Sequence, residues 1–307
     1  MNGMGSLELS AASAGIRRKK DGGRWIRIFR SLVASKTGII GLIIILAVCF
    51  TAVFADVLAP HDPLQANVAK RLQPPMWMKG GSAEHPLGTD HLGRDLLSRL
   101  LVGSRISLLV GVFSVVVAGA IGIVFGLFSG YFSKWVDRVI MRVTDAFIAI
   151  PNMLLLLVFA MVAGPGVMTV IFVLGLTSWT YYARVIRSEV LSVKEREFVK
   201  ASRAAGSGSF RIIFAHIMPN VIPSFIVLCT TSVASAIISE SSLSFLGLGV
   251  TAPHVTWGNI LSDGRDYLAT SWWIATFPGL AITITVLGVI FLGDWLRDYL
   301  DPRLNLD

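Results

Sequence analysis

Ionised side chains are scarce in this chain. Asp, Glu, Lys and Arg make up 15% of its 307 residues, where a soluble domain carries about a quarter, so a water-facing globule of this length is excluded. Cysteine is almost absent: Cys49 and Cys229 each sit inside an apolar run, which fits inert buried thiols and argues against a disulfide framework or a metal site. No Gly-Lys dipeptide occurs anywhere, and with it goes the Gly-x-x-x-x-Gly-Lys-Ser/Thr loop that cradles nucleotide phosphates. Any ATP used must be bound by another polypeptide.

What the chain has in quantity is hydrocarbon. Hydrophobic residues make up 54% of it and the mean hydropathy is +0.69. The apolar residues gather in six long runs, near Gly38–Phe54, Ile106–Leu127, Ala146–Ala163, Val167–Tyr182, Val221–Ser239 and Ile274–Leu292. A helix needs roughly 20 such residues to cross a bilayer core. The expected fold class is all-α, a polytopic membrane protein with six transmembrane helices. No Asp, Glu, Lys or Arg lies inside the six runs; the nearest are Asp145 and Glu240, at their edges. A charge at mid-bilayer costs about 2.5–3.5 kcal/mol, and ion-coupled carriers bear that cost for function. A proton-coupled carrier is therefore disfavoured.

The formal net charge of +8 reads as a topology signal. No nucleic-acid-binding module accompanies it, so nucleic acid is not an expected partner. Eight Lys and Arg precede Thr37, three follow the second run, seven lie between Arg184 and Arg211, and two close the chain. The opposite side holds seven. The positive-inside rule then places both termini and the 184–220 loop in the cytoplasm, with membrane lipid around the spans. A signal peptide would need its apolar core sooner, so the start reads as a cytoplasmic tail before a retained anchor. The expected organisation is a basic tail over 1–36, a first span over 37–60, an external loop over 61–105, a five-helix core over 106–297 and a cytoplasmic end over 298–307.

Glycines at 122, 126 and 130 recur every four residues, a pattern that lets helices approach closely in lipid. Pro151, Pro223 and Pro278 lie near or within spans and should kink them.

The longest cytoplasmic loop carries the functional signal. Lys194 to Ala205 is composed of helix formers, with Phe198, Val199, Ser202 and Ala205 on one face. Gly206 stands where a helix C-terminus wants a positive φ, and Ser209 can cap a second short helix running to Pro219. Such a pair makes a knob at the inner face of the membrane. Its basic residues would also suit a loop lying on lipid headgroups.

Lys200-Ala201-Ser202, three residues, Gly206, nine residues, then His216-Ile217-Met218-Pro219 resembles the EAA loop of bacterial binding-protein-dependent ABC importers. That pattern is Glu-Ala-Ala, three residues, Gly, nine residues, Ile-x-Leu-Pro. Here Lys200 replaces Glu, Ser202 replaces Ala, His216 replaces Ile and Met218 replaces Leu. The segment His85 to Leu100, with Asp90, His91, Asp95 and Arg99, is similar to the C-type permease subunit of the dipeptide/oligopeptide/nickel branch. Physically it reads as an interfacial helix, with Leu92, Leu96 and Leu100 as a stripe and Asp95 able to pair with Arg99 at the surface. His85, Asp90 and His91 come with no further ligand cluster, so no metal site is expected there. The resemblance covers about His85 to Arg303, and the tail before Thr37 carries none of it.

The resemblance implies a type I ABC importer permease fold. It implies a second permease subunit, two ATPase subunits holding ATP and Mg, and an external solute-binding protein, with no cofactor on this chain and no enzymatic activity of its own. Coupling to the ATPase would fall to Phe198, Lys200, Ala201, Ser202, Arg203, Gly206, Phe210, His216 and Pro219. The cargo class would be dipeptides or oligopeptides; nickel chelates, oligosaccharides or another small solute are alternatives within the same architecture. A lone carrier or membrane enzyme is the remaining alternative, and an enzyme would need titratable groups converging at one membrane face. Substrate contacts are not assignable from the sequence.

Overall fold

The computed structural model describes residues 23–300 apart from Ser133. The basic cluster Arg17–Lys20 and the end of the chain from 301 onward lie outside the described residues. The elements are α1 (Gly23–Ala34), α2 (Lys36–Val53), the single turn α3 (Ala55–Leu58), α4 (Leu96–Tyr131), α5 (Lys134–Ala149), α6 (Asn152–Ala163), α7 (Val167–Lys194), α8 (Glu197–Ala204), α9 (Ser209–Phe245), α10 (Trp257–Gly264) and α11 (Trp273–Leu300). No strand is present among the described residues.

Five helices, α2, α4, α7, α9 and α11, are each long and apolar enough to cross a membrane. The expected third span near Ala146–Ala163 is not one helix. It is divided into α5 and α6, which meet at 90°. Pro151 explains the break: its backbone is extended (ψ 126°) and its ring removes the N–H that the ladder needs. Six crossings result only if this bent pair counts as one. Pro223 and Pro278 lie inside helices that continue past them.

The glycine series finds its partner in α7. A Cβ on Gly126 would lie 2.6 Å from Cβ of Ile186, and one on Gly130 would lie 2.6 Å from Cβ of Val190. Gly122 faces Tyr182 and Ala183 in the same register. The four-residue ridge of α4 therefore seats against a four-residue ridge of α7, and these two helices share the most extensive contact in the bundle. On the other side, Gly41 of α2 and Gly288 of α11 let those backbones touch: a Cβ on Gly41 would meet the Gly288 carbonyl at 2.8 Å.

The segment before α4 departs from its expected form. Leu92 lies outside any helix, and α4 begins at Leu96 behind Asp95, whose carboxylate accepts from the Ser98 N–H at 2.8 Å. The expected interfacial helix is thus only the first turn of a 36-residue helix about 54 Å long. Asp95 does not pair with Arg99. It accepts from the Ser98 hydroxyl and lies 3.0 Å from Nδ1 of His85. Arg99 is buried at 3% exposure and reaches Asp90 and Asp263 instead.

Candidate functional site

The loop singled out by sequence is a compact knob, built differently from the expected two short helices. Lys194 ends α7, a turn follows at Glu195 and Arg196, and only Glu197–Ala204 forms α8. Of the face expected to pack, Val199 alone is fully buried; Phe198 is 42% exposed and Ala205 is exposed. Val199 sits in an apolar cluster with Leu127 and Tyr131 of α4, Ile186 and Val190 of α7, and Ile212, Ile213 and Ile217 of α9. The knob is thereby fixed to three spans at once.

Gly206 has φ +80°. Its N–H donates to the Arg203 carbonyl at 3.0 Å and the Ser207 N–H donates to the Ser202 carbonyl at 3.2 Å, the paired bonds of a Schellman C-terminus. A Cβ on Gly206 would meet nothing within 4 Å. Glycine is required here by backbone conformation alone, not by space.

Ser209 is not a cap. Gly208 occupies that position and no side-chain bond closes the end. Nor does the second helix stop at Pro219. It runs on to Phe245 as one 37-residue element, with a wide turn at Ile212–Ile217 where the Met218 N–H donates to the Ile213 carbonyl. Pro219 accounts for that turn, because its missing N–H and its ring displace the ladder just before it.

Eight of the nine residues expected to couple are on or near the outer surface of this knob. Phe198, Lys200, Ala201, Arg203, Gly206, Phe210 and Pro219 are exposed, and His216 is half-buried under Phe198, its ring 6.4 Å away. Ser202 is half-buried at the base. Lys200 stays within reach of Glu197 at 3.4 Å and Glu195 at 3.7 Å. Sequence reasoning missed Phe214, 52% exposed and stacked on Phe210 with centroids 6.5 Å apart, although the four-residue spacing of the two rings was visible.

The end of the bundle away from the knob is closed by polar contacts. Arg94 bonds Asp90 at 2.6 Å and Asp263 at 2.9 Å, and Arg99 bonds both carboxylates. Burial alone would raise the Asp90 pKa; the Arg99 and Arg94 guanidinium groups and the Arg94 and Leu92 N–H donors outweigh it and hold the carboxyl below the usual range. Trp257 Nε1 donates to the Leu100 carbonyl at 2.9 Å and Trp273 Nε1 to the Thr89 carbonyl at 3.2 Å. The three residues His85, Asp90 and His91 do not converge: His85 groups with His61 and Glu84, while Asp90 and His91 lie with Asp263. Glu240, at the end of its apolar run, lies in the last turns of α9, fully buried, where it accepts from the Ser244 hydroxyl at 2.7 Å. Asp145, exposed at the other end, bonds Arg184 at 2.6 Å.

A bundle of five spanning helices and one bent pair, with an exposed knob continuous with a span, defines a membrane permease. The binding-protein-dependent transport system inner membrane component model matches residues 122–306, and the N-terminal TM domain of oligopeptide transport permease C matches residues 23–75. The chain belongs to the first of these families and is a permease subunit of an ABC importer. The second match corrects the expectation that nothing before Thr37 resembles the family. The chain is 41% identical to the di/tripeptide transport system permease protein DppC of Pseudomonas aeruginosa, over 90% of this chain and 91% of that one. It is 43% identical to the dipeptide transport system permease protein DppC of Escherichia coli, over 88% and 90%. A solved inward-facing structure of the MetNI methionine ABC transporter matches with a TM-score of 0.56 and 19% identity, over 67% of this chain and 96% of that one. That likeness concerns the fold. Importers of this family work, in general, with a partner permease, ATPases and a solute-binding protein.

Proposed function

We propose that this chain is one of two permease subunits in an ATP-driven importer of dipeptides or oligopeptides, and that its knob couples the spans to a separate ATPase subunit, one of two in the complex. The peptide cargo is suggested by the dipeptide and di/tripeptide permeases to which the chain is 43% and 41% identical over most of both chains. ATP and Mg reside on the ATPases, and a solute-binding protein delivers cargo from outside. Both termini and the knob are cytoplasmic, in keeping with the distribution of Lys and Arg.

The observation that carries the coupling role is mechanical. Phe198, Phe210 and Phe214 present apolar area to the outside of the knob, a composition that suits insertion into a cleft. Beneath them Val199, Ile212, Ile213 and Ile217 are at most 1% exposed, and the knob's second half is the first three turns of a spanning helix. A displacement of the knob by a closing ATPase dimer is therefore delivered to α9 as a rigid-body movement, and to α4 and α7 through the shared cluster.

The test is mild detergent extraction of the complex through a tag on this chain. Recovery of a second permease and two ATPases, with ATP hydrolysis stimulated by the binding protein and its dipeptide, is the expected result. A lone chain, or a complex whose hydrolysis ignores every dipeptide, overturns it.

A further inference from the structure

The segment between α3 and α4 brings together three side chains that are scattered in the sequence. His61 follows α3, Glu84 and His85 precede α4, and one potential ligand atom from each lies within 4.8 Å of the other two. The imidazole rings of His61 and His85 are 4.7 Å apart between centroids, and Nε2 of His85 is 3.9 Å from Oε1 of Glu84.

Three observations separate this group from a chance meeting of polar side chains. First, His85 is oriented from behind. It is 5% exposed, and its Nδ1 lies 3.0 Å from Oδ1 of Asp95. That carboxylate is itself 2% exposed and is fixed by the Ser98 N–H and hydroxyl at 2.8 and 2.6 Å. A carboxylate at Nδ1 keeps that nitrogen as the donor and leaves Nε2 with its lone pair, the arrangement that steadies metal-ligating histidines.

Second, Nδ1 of His61 is shielded from solvent and has no hydrogen-bond partner among the described residues. Asp95 Oδ2 is 3.8 Å from it, too far for a hydrogen bond. The His61 backbone N–H donates to Ser98 Oγ at 3.0 Å, so the residue is tied to the same turn of α4 while this ring nitrogen stays unsatisfied.

Third, the gaps have the scale of a coordination sphere. A tetrahedral ion with bonds of about 2.0–2.1 Å sets its ligand atoms roughly 3.3 Å apart, so the group closes on an ion with side-chain shifts of about 1 Å. Glu84 is exposed and His61 half-buried, which leaves both able to move. Lys70 Nζ holds Glu84 Oε1 at 2.5 Å, a surface ion pair that an entering dication displaces at small cost.

We infer that His61, Glu84 and His85 bind a divalent transition-metal ion, Zn²⁺ above all, at the end of the bundle away from the knob. Two imidazoles and one carboxylate suit Zn²⁺, whereas Mg²⁺ and Ca²⁺ take oxygen donors. The ion ties the beginning of the segment between α3 and α4 to its end, and through Asp95 to the first turn of α4. The site is distinct from the group of Asp90, His91 and Asp263, whose carboxylates are engaged by Arg94 and Arg99. It goes beyond the importer reading and does not depend on the cargo.

The full-length chain, purified in mild detergent with a histidine-free tag, stripped with EDTA and dialysed, tests this by calorimetric titration with ZnCl2 in excess MgCl2. One Zn²⁺ per chain is expected, with a rise in Tm. His61→Ala and Glu84→Gln should each weaken binding at least tenfold and remove the rise, while the metal-free protein keeps the wild-type Tm. Glu84→Gln alters an exposed side chain, so its result decides even where His61→Ala fails to fold. His91→Ala should bind as the wild type does. Absence of saturable Zn²⁺ binding in the wild type overturns the inference. So does wild-type affinity in Glu84→Gln or in a folded His61→Ala protein, or an equal loss in His91→Ala.

Discussion

At Gly206 a single backbone angle carries the argument. The φ of +80° with open space around the missing side chain separates two effects that usually act together, because a new side chain is strained without clashing. Alanine should cost the α8 terminus about 1–2 kcal/mol, valine more, and asparagine least, since it tolerates the left-handed region. If this terminus sets the angle of the knob against an ATPase, dipeptide uptake should follow the order Gly, Asn, Ala, Val, with Val below a tenth of wild type. Equal membrane levels of all four proteins, measured by immunoblot, would confirm that coupling and not insertion is lost. Normal uptake by Gly206→Val would count against the knob as the coupling element.

At the scale of elements, lipid supplies no hydrophobic force between helices, so close packing must hold α4 against α7. Gly126 is a direct test, because its absent Cβ would press on Ile186 at 2.6 Å and on the Ala183 carbonyl at 3.0 Å. Gly126→Leu should destabilise the detergent-solubilised chain by about 1–3 kcal/mol, the range for overpacking, seen as a lowered Tm. Gly279→Ala in α11 is the control: nothing lies within 4 Å of its added methyl, and helix propensity favours alanine. This interface was legible in the sequence, as were the positive φ at Gly206 and the spans, because each depends on local residue type and spacing. The break at Pro151 was legible only as a kink, since a 90° bend depends on what packs around it. The pairing of Asp95 and Arg99 was misread for the same reason. Three-to-four spacing suggested a surface pair, whereas the cap at Asp95 and the distant Asp263, 164 positions beyond Arg99, decided otherwise.

For the whole molecule the decisive property is polarity across the membrane, since the knob can meet an ATPase only from the cytoplasm. The two ends of the bundle differ in kind. One carries the basic loops and exposed aromatic rings of the knob; the other is closed by the ion pairs of Asp90, Arg94, Arg99 and Asp263 and by two tryptophan donors. Lys200 and His254 are exposed at these opposite ends, and cysteine at each reports which face it occupies. In intact cells or right-side-out vesicles, a membrane-impermeant maleimide should label His254→Cys and leave Lys200→Cys untouched. Inverted vesicles should reverse the pattern. The native thiols add little background, since Cys49 and Cys229 lie in apolar spans that a charged reagent does not enter. Labelling of Lys200→Cys from outside would put the knob beyond reach of any ATPase and remove the mechanical basis of coupling, whatever the sequence family.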